Sequence, residues 1–404
     1  MSTPLGKDLA RSQGTDFYAT DDLLTDDDRA IRDRVRTFVD ERLIPAAPDY
    51  WERAQFPHEL VAPYAALRVA GGSITGDGCP GMSALAEGLV TVELARGDGS
   101  FSTFHSVHSG LAMTAIALLG DDEQKQRWLP DMAACTKLGA FALTEPDHGS
   151  DVVRLATTAH RDGDSWVLDG AKRWIGLGTL ADVVVVWARD DDGDVGAFVV
   201  DHRDHDPEQP TPGYDASVIT GKSSNRGIWQ ADIRIDDLRV PLANRLAGSR
   251  SFSDTNRVLT KSRQSIAWEG LGHAIGAYEC ALAYALRREQ FGRPIAAFQL
   301  VQDKLSHMLS DITGMQLTCF RMAQLHQQGR LKLEHAALAK LQTAAAARRV
   351  CAMARDIMGG NGILLDHHVA RHHADMEAVY TYEGTDTVQS LIVGRAITGH
   401  SAFA

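Results

Sequence analysis

Cysteine is scarce and unpatterned in this chain. Its five cysteines (Cys79, Cys135, Cys280, Cys319 and Cys351) include no Cys-x-x-Cys pair. That excludes a disulfide framework or a zinc knuckle and fits a reducing compartment. Basic charge is short as well: 41 Lys and Arg against 53 Asp and Glu leave a net charge of −12. Nucleic acid is therefore not the expected main partner, although a local basic site can still hold a small anion. No apolar run approaches membrane-spanning length, so membrane insertion is not expected. The first residues lack a charged-then-apolar leader pattern, and Ser401-Ala402-Phe403-Ala404 is not a peroxisomal tripeptide. The cytoplasm is the expected compartment. No serine nucleophile elbow occurs, and no Lys-Ser/Thr follows a glycine loop as a Walker motif requires.

What is present falls into three stretches. The first third has helical periodicity. Thr25 before Asp26-Asp27-Asp28 reads as an N-cap with acids on the positive helix end. Ile31, Val35, Phe38, Val39 and Leu43 then recur at helical spacing until Pro45, which is expected to stop the run. Further helices are expected at 83–97, 102–119 and 121–134. Near residue 140 the pattern changes. Asp169-Gly170 between two β-prone runs predicts a hairpin, and 182–188 and 195–200 predict strands joined by an Asp-rich turn. From about residue 253, long helices return at 253–290, 297–328 and 333–357. The expected fold is α+β: an N-terminal helical domain (1–139), a middle β-barrel or sandwich domain (140–250) and a C-terminal four-helix bundle (251–404).

Glu383 is the leading candidate for chemistry. It lies between Tyr382 and Gly384 in a mostly uncharged segment, a setting expected to desolvate a carboxylate, raise its pKa and make it a base. Three more segments draw attention. Phe141-Ala142-Leu143-Thr144-Glu145-Pro146 leads through Gly149 and Ser150 as a bent loop with free backbone N–H groups and hydroxyls. It suits the polar edge of a flat heterocycle, or else is a plain linker. Arg288-Glu289-Gln290-Phe291-Gly292, followed by Gln299, places an Arg able to reach a pyrophosphate, or to stabilise a helix end. Met358-Gly359-Gly360-Asn361-Gly362 is expected to end a helix. Gly176-Leu177-Gly178-Thr179-Leu180-Ala181 fits a dinucleotide fingerprint on paper, but a strand follows it where a helix is required. His367, His368, His372 and His373 are read as a solvated or interfacial helix face, with no metal expected.

Together these segments, with Lys172-Arg173-Trp174-Ile175, resemble the acyl-CoA dehydrogenase family of flavoenzymes from Leu24 to Phe403. The look is closest to glutaryl-CoA dehydrogenases and the plant short-chain acyl-CoA oxidases. The resemblance implies FAD, an acyl-CoA substrate, a homotetramer with FAD across a subunit contact, and an electron-transfer flavoprotein as acceptor. It implies that Glu383 removes the α-proton while the β-hydride passes to flavin N5, giving a trans-2-enoyl-CoA. The Glu383 backbone N–H and a ribityl hydroxyl would hold the developing enolate oxygen. By the same carry-over, the FAD contacts are Phe141, Leu143, Thr144, Ser150, Trp174, Ile175, Gly176, Arg288, Phe291, Gln299, Gly359, Gly360, Thr385 and Phe403. Ser102, Ser150, Arg263 and Gly384 would contact the substrate. Some relatives carry the base one residue before the Arg that matches Arg263; Ser262 stands there and cannot serve.

Two departures bear on substrate and oxidant. Ser102 stands where glutaryl-CoA dehydrogenases have the Arg that pairs a distal carboxylate, which favours a neutral, short or medium acyl chain. Arg96 is near in sequence but at least a helical turn away. Gly176 stands where the family has Thr or Ser, and is expected to open space beside the flavin's reactive edge. Three alternatives stay open: an oxidase passing electrons to O2, a decarboxylating glutaryl-CoA-type enzyme, and a flavin-binding relative that does not desaturate.

Overall fold

A computed structural model describes residues 14–202 and 210–401. Phe403 lies outside the described residues. Helix α1 (Asp26–Phe38) starts as the sequence predicts: Thr25 Oγ1 accepts from Asp28 N (3.2 Å), and Asp28 Oδ2 accepts from Thr25 N (3.1 Å). Pro45 does not end the helical path. A π-helical turn at Val39–Leu43 leads into a further helix, Ile44–Arg53, whose first turn holds Pro45. The wider π-helical turn just before it gives room for a proline, whose ring would clash in a regular helix interior. Helix α2 (Ala84–Gly97) and helix α3 (Gly99–His105) follow, and α3 runs on as a π-helical stretch, Ser106–Met113.

The middle region is one curled sheet. Its strands are β1 (Gly139–Ala142), β2 (Thr158–Asp162), β3 (Ser165–Gly176), β4 (Val183–Arg189), β5 (Val195–Asp201), β6 (Tyr214–Val218) and β7 (Gln230–Pro241). The order is β1-β4-β2-β3-β7-β6, with β5 antiparallel on β4. The hairpin expected at Asp169-Gly170 is a bulge inside β3. The turn lies earlier, so that Asp162 faces Ser165. Gly170 has φ +153°, and a Cβ there would come within 2.5 Å of Thr157 Oγ1, so the glycine serves a close strand approach.

The C-terminal region stacks α4 (Phe252–Arg287, 36 residues), α5 (Gln299–Gln327), α6 (Leu333–Ile357), α7 (Val369–Thr381) and α8 (Asp386–Thr398). Gly359, with φ +57°, follows α6 at its end, as its motif predicts. The N-terminal helices belong to two cores. Phe38, Leu94, Phe101 and Phe104 join the sheet's Val183–Val186, whereas Leu85, Leu89 and Val92 join the C-terminal helices. Helix α2 crosses α4 so tightly that a Cβ on Gly88 would sit 2.2 Å from the Trp268 ring. On the histidine face, His367, His368 and His373 are half-buried, and His372 is buried, its Nδ1 3.0 Å from His273 Nδ1, where burial holds it neutral.

Candidate active site

Glu383 lies in the short turn between α7 and α8, with φ +54°, a left-handed conformation that a residue with a side chain adopts only under strain. The turn is held from beneath. Lys340 of α6 is buried, and its ammonium donates to the carbonyls on both sides of Glu383, those of Tyr382 and Gly384. Gln389 Nε2 donates to the carbonyls of Glu383 (2.9 Å) and Gly384 (3.0 Å). On the carboxylate itself, Ser262 Oγ donates to Glu383 Oε2 at 2.8 Å. Burial pushes Lys340 down to about 8, with Glu383 acting in the opposite sense; burial also lowers Arg263, again against Glu383. The surroundings of Glu383 are therefore not uncharged, as its sequence neighbours imply: two cations face it in space. Tyr382 turns inward and donates to Glu269 Oε2 (2.7 Å), a carboxyl that burial raises to about 7.

The second loop runs from the end of β1. Glu145 accepts from Lys172 Nζ (2.8 Å), Ala156 N (2.6 Å) and Thr157 N (2.9 Å). Burial alone would raise this carboxyl, but Lys172 and the N–H donors hold it down at about 2. The loop is thus locked to β3, and Arg173 N donates to Thr144 O (2.8 Å). This brings Thr144 beside Trp174, whose ring is 52% exposed, at φ +64° and under the Arg173 guanidinium. Phe141, Leu143, Ile175 and Gly176 are buried behind it, while Ser150 is exposed. Gly176 opens no space: a Cβ there would meet Val107 Cγ2 at 2.8 Å.

Arg288, Phe291 and Gln299 gather elsewhere, at the far end of α4. From Ser262 to Arg288 the helix runs about 39 Å at 1.5 Å per residue. All three are exposed, Phe291 to 94% and at φ +52°. Gly359 and Gly360 are also exposed, with open space where a Cβ would be. Thr385 caps α8, accepting from Val388 N (3.3 Å). Arg263 Nε is buried with no partner among the described residues, a donor left for a ligand. An exposed strained indole, a polar loop edge and this spare donor fit a flat cofactor with an anionic tail.

Ser102 is fully buried beside Glu269 and is not at the surface of the cavity next to Ser262. Arg96 cannot take its place, because it is buried among Glu93, Glu279 and Asp40. The supports Lys340 and Gln389 were not singled out from sequence. Only the helical spacing of Lys340 within an apolar face, unusual for a lysine, was a usable signal.

Comparisons with known proteins agree across the chain. The acyl-CoA dehydrogenase N-terminal, middle and C-terminal domains match residues 25–136, 140–238 and 252–398. The short-chain specific acyl-CoA dehydrogenase of Bos taurus mitochondria is 32% identical over 90% of this chain and 88% of its own. A glutaryl-CoA dehydrogenase from Mycobacterium smegmatis superposes with a TM-score of 0.92 at 40% identity, covering 97% of this chain and all of the other. A glutaryl-CoA dehydrogenase structure from the same organism, in complex with FADH2, gives 0.93 at 36%, covering 97% and 99%. With its strained Glu383 turn and its locked loop at Thr144, the chain belongs to the acyl-CoA dehydrogenase family, FAD-dependent oxidoreductases acting on acyl-CoA thioesters.

Proposed function

We propose that this enzyme desaturates a neutral, short or medium acyl-CoA to the trans-2-enoyl-CoA, with Glu383 as the base. The observation that carries the reading is the Glu383 turn, strained and clamped from beneath, with its carboxylate bonded among the described residues only by the Ser262 hydroxyl. Glu383 takes the α-proton and becomes the neutral acid. Its own backbone N–H pairs with no acceptor among the described residues and is free to hold the thioester oxygen as charge develops. Lys340 and Arg263 are the cations that face Glu383. Bound FAD supplies the acceptor for the hydride that leaves Cβ. Thr144, Trp174, Gly359 and Gly360 would hold it, together with Arg288, Phe291 and Gln299 of a second subunit.

The buried Ser102 beside the Glu269 carboxyl, with Arg96 already tied to Glu93, Glu279 and Asp40, favours a neutral chain over a dicarboxylyl one. Val107 filling the space at Gly176 gives the oxidase reading no support, and an electron-transfer flavoprotein is the proposed acceptor. A homotetramer rests on the family resemblance, as do domain divisions near 140 and 250. The cytoplasm is the proposed compartment, in keeping with five free cysteines.

The test is anaerobic stopped-flow mixing of the FAD-loaded enzyme with butyryl-, isobutyryl- and octanoyl-CoA. The flavin should bleach with at least one of them, and Glu383→Gln should slow bleaching about thousandfold. Bleaching at the wild-type rate in that variant would remove Glu383 as the base.

A further inference from the structure

Next to Ser262 lies a cavity walled by α2, α3 with its π-helical continuation, α4 and α5. A site for a plain alkyl chain should be lined by apolar side chains, because burying polar groups against hydrocarbon costs their hydration. Ala84, Trp268 and Ala323 give this one an apolar surface, but polar side chains interrupt it on every wall. Glu87 and Thr91 come from α2, His105 and Ser106 from α3 and its continuation, Lys261 from α4 and His326 from α5.

Most of these groups have partners. Lys261 Nζ donates to Ser73 Oγ (2.6 Å), and Ser73 N donates to Glu87 Oε1 (3.3 Å), so one residue bridges the acid and the base. Burial keeps His326 on the neutral side, with Lys261 acting the same way and Glu87 against. The wall therefore carries one charge of each sign and no net charge. Ser106 is the exception. It is 8% exposed, lines the cavity, and its Oγ has no hydrogen-bond partner among the described residues. It stands at the first position of a π-helical stretch, Ser106–Met113, a distortion that is rare and is found mostly at functional sites. Gly110, on the same stretch, leaves open space where a Cβ would stand.

We propose that the acyl chain this enzyme takes carries a hydroxyl group beyond Cβ, with Ser106 and Glu87 as the residues that read it. A hydroxyl both accepts and donates, so it can accept from Ser106 Oγ and donate to the Glu87 carboxylate. A carboxylate would be set against Glu87, and an alkyl chain would leave Ser106 unpaired. The inference rests on the acyl-CoA reading above and names the substrate class within it.

The test uses pairs in which a terminal methyl is exchanged for a hydroxyl of similar size: pentanoyl- against 4-hydroxybutyryl-CoA, hexanoyl- against 5-hydroxypentanoyl-CoA, and heptanoyl- against 6-hydroxyhexanoyl-CoA. Anaerobic bleaching of the holoenzyme gives kcat/KM. Calorimetry with the 3-thia analogues of the two longer pairs, which cannot be desaturated, gives binding without turnover. At least one hydroxyl member should exceed its methyl partner about tenfold by both measures. Ser106→Ala should bring that ratio close to one. A methyl preference in every pair, or a hydroxyl preference that survives both Ser106→Ala and Glu87→Gln, overturns the proposal. If no thioester bleaches the flavin, the dehydrogenase reading fails, and the binding ratios alone still decide the pocket.

Discussion

Two buried lysines hold the two loops of this site, and they do it differently. Lys172 in the sheet meets a carboxylate, Glu145, in an ion pair supplemented by backbone donors. Lys340 in the helical region meets two main-chain carbonyls, with no carboxylate in hydrogen-bond contact. The first arrangement neutralises its charge locally and can only fix a shape. The second leaves a positive charge on which the half-buried Glu383 acts more strongly than Glu269 or Asp386 does. The loop at Thr144 is therefore held by a closed pair, and the Glu383 turn by an open one.

That contrast can be broken by substitution. Lys172→Met should have the largest effect on stability, about 3 kcal/mol, because it strands a buried carboxylate. Adding Glu145→Gln should recover part of the loss in denaturant midpoints. The wild-type pair also predicts a pH effect. Glu145 is depressed to about 2 from an ordinary 4.5, so its contribution is present above 4.5 and is lost as pH falls through about 2. Acid titration of the Glu145→Gln variant should lack that component. Lys340→Met should cost less stability, about 1–3 kcal/mol, because it orphans the Tyr382 carbonyl while Gln389 still serves that of Gly384. It should slow flavin bleaching about thirtyfold, on the same scale of energies, with acyl-CoA binding retained. If Lys172→Met slows the reduction step more than Lys340→Met does, the division of labour is wrong. The smallest effect is expected at Glu269. Its carboxyl is raised to about 7, so its contribution is present below 4.5 and is lost as pH rises through about 7. Glu269→Gln keeps an acceptor for Tyr382 and should flatten the thermal midpoint across that window.

The contrast also shows what was legible in the sequence. Thr25 and its acids mark a helix start with local chemistry alone, and the structure begins the helix there. The long C-terminal helices are equally local signals. Asp169-Gly170 misled because a turn dipeptide and a bulge glycine look alike until the partner strand is known; β7 and Thr157 decide it. Pro45 misled because a π-turn can realign the chain so that a proline falls in a first turn. Glu383 and Thr144 were visible through their motifs. Lys340, 43 positions before the base, was not, because its task is defined by two carbonyls across a helix packing. Ser102 and Ser106 sit one turn apart on the same helical path, and only packing tells which faces the cavity.

The left-handed backbone at Glu383 has a consequence for how such a chain changes over time. A side chain at that φ costs about 1–2 kcal/mol, of which glycine would relieve most, offset by about 0.4–1 kcal/mol of added freedom in the unfolded state. Folding alone therefore tolerates or mildly favours Glu383→Gly. In a lineage released from the need for turnover, this position would drift toward glycine without harm to the fold. With Glu383 as the proposed base, a glutamate kept there is maintained by the reaction, against the preference of the backbone that carries it.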